Sequence, residues 1–101
     1  MSKELNLLGI ATRAGKITSG EPLTLDGMKQ RKVKLVYLAS DAGNSTKKRI
    51  RDKTTTQSIP LIETYTTEEL SVATGAYNRV VLGISYNGFK KKLLELNENG
   101  T

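Results

Sequence analysis

The chain predicts a three-layer α/β fold with helices on both faces of one sheet, and three observations carry that reading. Two runs are apolar almost throughout, VKLVYLA at 33–39 and RVVLGI at 79–84, as in strands buried on both faces. Helix-like and strand-like segments alternate as α-β-α-β-α-β-α-β-α, which puts helices on either side of one sheet. The 101 residues hold no linker and no internal repeat, so 1–101 is read as a single domain, long enough to bury a core without staples.

Each element has its own signal. Ser2 is a candidate cap for a first helix in which Leu5, Leu8 and Ala11 recur at helical spacing, with Leu7 and Ile10 widening the stripe and Gly15 as the stop. KIT, 16–18, is a very short strand. A second helix follows over 20–32 and accepts Pro22 because proline fits a first turn. Leu23 and Met28, with Leu25 or Gly27 between them, are expected to face inward. Gly27 costs roughly 1 kcal/mol against alanine in a helix, which suggests a close approach there. After the strand at 33–39, SDAGN breaks the chain. A polar helix follows over 45–58, with Ile50 as its one large apolar residue. IPLIET is a third strand, and Pro60 near its start suggests a sheet edge. Thr66 and Glu69 form a capping box for a helix ending at Gly75. After the strand at 79–84, Phe89, Leu93 and Leu96 give the last helix an apolar face, and 97–101 is expected to fray.

Composition removes much chemistry. There is no cysteine and no histidine, so a Ser-His-Asp triad, a Cys-His pair and a zinc held by thiolate or imidazole are excluded. No metal, cofactor or small-molecule substrate is expected. The longest apolar stretches are about seven residues, too short to span a membrane, and a cytoplasmic location is the simple expectation. Asp41 and Glu63 lie near strand ends, but neither has a second acid or base at a recognisable spacing. Asp41 reads instead as a turn residue or a cap ahead of STKKRI. The chain is not expected to be an enzyme.

RAGKITSGEP, 13–22, holds two glycines, two bases and two hydroxyls. It is not a P-loop, because Lys16 follows the first glycine and Gly20 is followed by Glu21. The G-x-G-x-x-G pattern is absent too. Either the loop meets phosphate in some other way, or Gly15 only ends one helix and Gly20 only begins the next.

The net charge of +6 is unevenly spread: residues 11–53 carry +7, 54–78 carry −3 and 79–101 carry +2. Lys47, Lys48, Arg49 and Arg51 crowd one polar helix, and Lys29, Arg31, Lys32 and Lys34 flank the central strand. Such a distribution suits a polyanion on one side. Tyr37 and Phe89 read as structural, leaving Tyr65, Tyr77 and Tyr86 for stacking. So few aromatics favour a folded RNA recognised by shape over single strands read by stacking. A protein–protein adaptor presenting a basic face is the alternative.

LGIATRAGKITSGE, KLVYLASDAGNSTKK, IP and EEL…ATGA…RVV, in that order and spacing, resemble the bacterial members of the L-seven-Ae/L-thirty-e ribosomal protein family over about residues 5–96. The resemblance implies an α/β/α sandwich on a mixed four-stranded sheet of order 1-4-2-3. It also implies a structured RNA partner of the kink-turn class, with ribosomal RNA among the candidates. By the same resemblance, RNA meets Lys16, Thr18, Ser19, Gly20 and Glu21 at the start of the second helix, and Ala76, Tyr77, Asn78 and Arg79 before the last strand. Lys29, Lys47, Lys48 and Arg51 supply phosphate contacts around them. The family's archaeal and eukaryotic pattern runs Gly-x-Asn-Glu-x-x-Lys; counted from Gly20, those polar positions hold Pro22, Leu23 and Asp26.

Overall fold

A computed structural model describes residues 2–99. The elements follow the predicted alternation: α1 Lys3–Arg13, β1 Ile17–Ser19, α2 Glu21–Lys29, β2 Leu35–Leu38, α3 Asn44–Gln57, β3 Leu61–Ile62, α4 Thr67–Thr74, β4 Val81–Ile84 and α5 Asn87–Glu98. The sheet runs β1-β4-β2-β3. β4 is antiparallel to both neighbours, while β2 and β3 are parallel, so the sheet is mixed. Pro60 stands just before the edge strand β3, where its carbonyl accepts from Val36 N.

Alternation along the strands sorts the core into two layers. Leu35, Tyr37, Leu82 and Ile84 face α1, α4 and α5, where Leu5, Leu8, Leu70 and Leu93 complete one cluster. Val36, Leu38 and Val81 face the other way, toward Met28, Val33 and Ile50. Strands buried on both sides are why 33–39 and 79–84 read as continuous apolar runs.

α2 approaches the sheet through glycines. A Cβ on Gly27 would stand 2.7 Å from Val33 Cγ2, and one on Gly83 would collide with Thr18 Oγ1 and lie 3.0 Å from Val33 Cγ2. The close approach suggested by Gly27 is therefore present. Leu23, however, is 61% exposed, and the inward positions are Thr24, Gly27 and Met28. Thr24 and Met28 are one turn apart and set the buried face; Leu23 lies about 100° around the helix from Thr24. Ile10 likewise stands exposed beside the buried stripe of α1.

The caps agree with the sequence except at one residue. Ser2 Oγ accepts from Leu5 N, and Thr66 and Glu69 form the reciprocal capping box. Asp41 stands in the turn before α3, one of the two roles expected of it, but the helix its side chain caps is α4. Its Oδ1 accepts from Thr67 N (2.9 Å) and Thr67 Oγ1 (2.8 Å) at the start of α4, and those bonds, backbone first, hold its carboxyl below the usual range. Asn97 and Glu98 continue α5 rather than fraying; Gly100 and Thr101 lie outside the described residues.

Glu4 is the polar centre of the α1 layer, and the sequence gives no hint of it. It is 1% exposed. Tyr37 Oη donates to its Oε2 (2.6 Å), Tyr65 Oη to its Oε1 (2.7 Å) and Asn97 Nδ2 to its Oε1 (3.3 Å). This ties α1, β2, the chain after β3 and α5 to one carboxyl group. Burial, then the Glu4 contact, pushes the Tyr37 hydroxyl far above its ordinary pKa. Burial first, reinforced by Glu4 and opposed by Ser2, pushes Tyr65 up to about 12. Tyr65 is thus a buried structural residue, not a stacking surface.

Candidate nucleic-acid interface

α2 begins at Gly20, with φ 92° and ψ 159°, a conformation open to glycine and strained for other residues. Gly20 N donates to Val81 O (2.8 Å), which fixes the turn to the first residue of β4. No side chain caps this helix start, and no atom lies within 4 Å of where a Cβ on Gly20 would stand. The backbone here is open to a close approach by another molecule, at the positive end of a helix dipole.

Glu21 in that first turn is already engaged. Arg49 Nε donates to its Oε2 (2.6 Å) and Nη2 to its Oε1 (3.1 Å), which joins α2 to α3. The Arg49 hydrogen bond, partly offset by burial and aided by the guanidinium charge, holds the Glu21 carboxyl below its ordinary value. Thr18 turns inward, with its hydroxyl 3.2 Å from that of the buried Thr24. Ser19 is half-buried beside Gly20.

The second loop meets this turn at the same end of the sheet. α4 ends at Gly75, φ 71°, and Ala76 N returns to Ser71 O. Asn78 takes a left-handed φ of 50°, and Arg79 N donates to Ser71 Oγ (2.9 Å). Val80 O then accepts from Ala39 N, beside the Leu38–Val81 pair. This arrangement leaves Tyr77 91% exposed at the rim. Arg79 Nε is buried without a hydrogen-bond partner, though the residue keeps some exposure. Gly20 and loop 76–79 thus flank the beginning of β4.

The basic residues divide. Lys47 is half-buried in the first turn of α3. Lys48 pairs with Asp52 (3.1 Å) while its side chain stays 78% exposed. Arg51 makes a forked bond to Glu63, shortest at 2.6 Å, so it is neutralised within the fold. Lys29 is exposed at the far end of α2, roughly 13 Å along the axis from Gly20 at 1.5 Å per residue. Lys16 is not at this site. Its carbonyl accepts from Ser85 N, and its Nζ lies 5.6 Å from the Tyr86 ring centre, at the opposite end of β1. The resemblance groups Lys16 with Gly20, and the three residues of β1 separate the two. The Glu21–Arg49 fork, 28 residues apart in the chain, also left no sequence signal.

Among the described residues no group of three or more acidic side chains could hold a metal, and no helix is long and apolar enough to cross a membrane. Fold and site define an α/β/α sandwich of mixed order 1-4-2-3, with an open glycine-led helix start facing an exposed aromatic loop. The chain belongs to the ribosomal protein L7Ae/L30e/S12e/Gadd45 family, whose model matches residues 3–94. It is 42% identical over 96 residues to "RNA-binding protein YlxQ" of Enterococcus faecium, spanning 95% of this chain and 92% of that one. It is 36% identical over 90 residues to the protein of the same name from Bacillus subtilis (strain 168), spanning 89% and 90%. A solved structure of a Bacillus halodurans protein of unknown function superposes with TM-score 0.93 at 38% identity, over 97% of this chain and 99% of that one. The Giardia lamblia 15.5kD RNA binding protein superposes with TM-score 0.79 at 18% identity, over 94% and 82%, a likeness of fold.

Proposed function

We propose that this protein is a non-catalytic, cytoplasmic RNA-binding protein, acting as one domain, and that it prefers kink-turn or similarly bent RNA to straight duplex. The observation that carries the reading is the meeting of Gly20 and loop 76–79 at the start of β4. One offers bare backbone N–H groups at a helix start, and the other offers the exposed ring of Tyr77. A phosphate or base edge at the first and an unpaired base on the second match RNA that bends and extrudes nucleotides. Two relatives above 35% identity are themselves named RNA-binding proteins, which supports the reading.

Lys47 and Lys48 supply general attraction to phosphates, which carries no sequence information. Pro22, Leu23 and Asp26 offer little base-edge hydrogen bonding, and Leu23 is exposed. Preference for a bent RNA is therefore modest, on the order of 10–100-fold, below usual specific-to-nonspecific ratios. Titration of one kink-turn RNA and one straight duplex of equal length, in magnesium, measures it. Equal affinity for the two would refute the preference.

A further inference from the structure

The end of the sheet opposite Gly20 carries a second cationic surface. There the chain leaving α2 and entering β2, the last turn of α3, the chain entering β3 and the first turn of α5 surround a concave pocket of about 190 Å3. Arg31, Lys34 and Lys90 line it, with Ser58 and Pro60, and no acidic residue does. None of the three cations is among the ion pairs of the described residues, whereas Arg49 and Arg51 are both forked onto glutamates. Lys34 Nζ donates to Arg31 O (3.0 Å). Three like-charged residues thus line one hollow that no acidic residue lines.

Surrounding features add to the deficit of negative charge. α5 starts at Tyr86 with no capping side chain and no acid in its first turn, then places Lys90 and Lys91 near the positive end of its own dipole, while Lys92 pairs with Glu95 (3.8 Å). Lys16 over the half-exposed Tyr86 ring adds another cation at this end. The C-terminal ends of α2 and α3 contribute about half a negative charge each, which does not neutralise three full cations. Arg31 follows α2 at φ 60°, a position where glycine is cheaper, yet a charged side chain stands there. The pocket is smaller than the roughly 300–1,000 Å3 of clefts that take whole small molecules, which suits a single phosphate group.

We propose that this pocket is a second phosphate site, taking a backbone phosphate of an RNA segment other than the one at Gly20. One chain then holds two RNA segments at opposite ends of a body 29 × 26 × 24 Å. The choice of RNA as the phosphate donor rests on the function proposed above; the anion chemistry of the pocket stands without it.

Amide chemical shifts of the full chain, titrated with a short straight RNA duplex and separately with inorganic phosphate, test the proposal. The duplex is expected to shift the amides of Lys34, Ser58 and Lys90. The variant Arg31→Gly/Lys34→Gln/Lys90→Gln should lose those shifts and keep those at Gly20 and Asn78. Glycine suits the φ of Arg31, which protects the fold; Lys90→Gln alone serves if the triple variant does not fold. Affinity at low salt should fall about 10-fold in the triple variant, and the salt slope by about one for each phosphate released. Absence of these shifts with duplex, or their persistence in the variant, would overturn the proposal. So would shifts produced by inorganic phosphate and not by duplex, which would make the pocket a free-anion site. Shifts at the pocket with none at Gly20 or Asn78 would uphold this site and refute the one at Gly20.

Discussion

The two helical layers hold the same sheet by different means. On one side, α1, α4 and α5 enclose the larger apolar cluster and, within it, a carboxyl group with two tyrosine hydroxyls and an amide donating to it. On the other, α2 and α3 cover a smaller cluster, approach through Gly27 and Gly83, and are joined at the surface by the Glu21–Arg49 fork. The first layer spends its polar groups inward, on stability. The second keeps its helix start, its cations and its charge pairs at the surface, where another molecule can reach them. That contrast says a mutation's effect depends on where it falls: the buried network around Glu4 bears on folding, while the start of α2 and the loop after α4 bear on binding.

The contrast is broken most easily at Glu4. Glu4→Leu strands the buried Tyr37 hydroxyl, at about 1–3 kcal/mol, and takes from Tyr65 its shorter partner while Ser2 Oγ stays at 3.4 Å, so urea unfolding should show a loss of about 1–3 kcal/mol. RNA affinity of the protein that remains folded should not change. The same network sets an alkaline limit. Tyr37 and Tyr65 have folded pKa values raised above the ordinary 10.0, Tyr65 to about 12. Their stabilisation is complete below pH 10.0 and is lost as pH rises toward the folded values. Tyr65→Phe should flatten the melting temperature across that window.

Tyr77→Ala probes the binding side. The ring is almost wholly exposed, so the melting temperature should hold, while affinity for a bent RNA drops on the order of 10-fold if a base stacks there. Unchanged affinity would remove the second loop from the site. A smaller effect is expected at Lys48, which also pairs with Asp52. Lys48→Ala should reduce the salt slope by roughly one or less, and equally for kink-turn and straight RNA.

The smallest effect separates the two layers by pH. Glu21 has its folded pKa lowered below 4.5 by Arg49. Its contribution is therefore present above pH 4.5 and lost as pH falls through the folded value. The pair is part-exposed, so Glu21→Gln should lower the melting temperature by a few degrees at most and remove this acid-side slope. It also frees Arg49 beside the open helix start, and RNA should bind slightly more tightly.

Much of this was legible in the sequence because it rests on local rules. The two doubly buried strands, the Thr66–Glu69 box, the stop at Gly75 and the close approach at Gly27 all follow from neighbours in the chain. The errors came from contacts between distant residues. Nothing local marks Glu4, whose partners Tyr37 and Tyr65 lie 33 and 61 residues away. Asp41 was expected to be a turn residue or a cap ahead of STKKRI; it stands in the turn, and its carboxylate reaches across to cap α4. The resemblance groups Lys16 with Gly20, while β1 carries them to opposite ends of the sheet. The forked bond from Arg51 to Glu63, 12 residues on, likewise had no local signal.

The central claim, that RNA docks on the start of α2, is tested most directly by a charge reversal at Asp26. Asp26 is exposed one and a half turns after Gly20 and accepts from Gln30 Nε2 (2.8 Å) on its own helix. Asp26→Lys exchanges a repulsion of phosphate for an attraction, worth about 1–2 kcal/mol at low salt, or about 5–30-fold in affinity. Glu95→Lys, exposed on α5, makes the same change in net charge away from α2. The account predicts clearly tighter RNA binding by the Asp26 variant than by the Glu95 variant, with the gap closing as salt rises. Equal strengthening by both would mean that RNA does not favour the start of α2 over the α5 side, and would contradict docking at the start of α2.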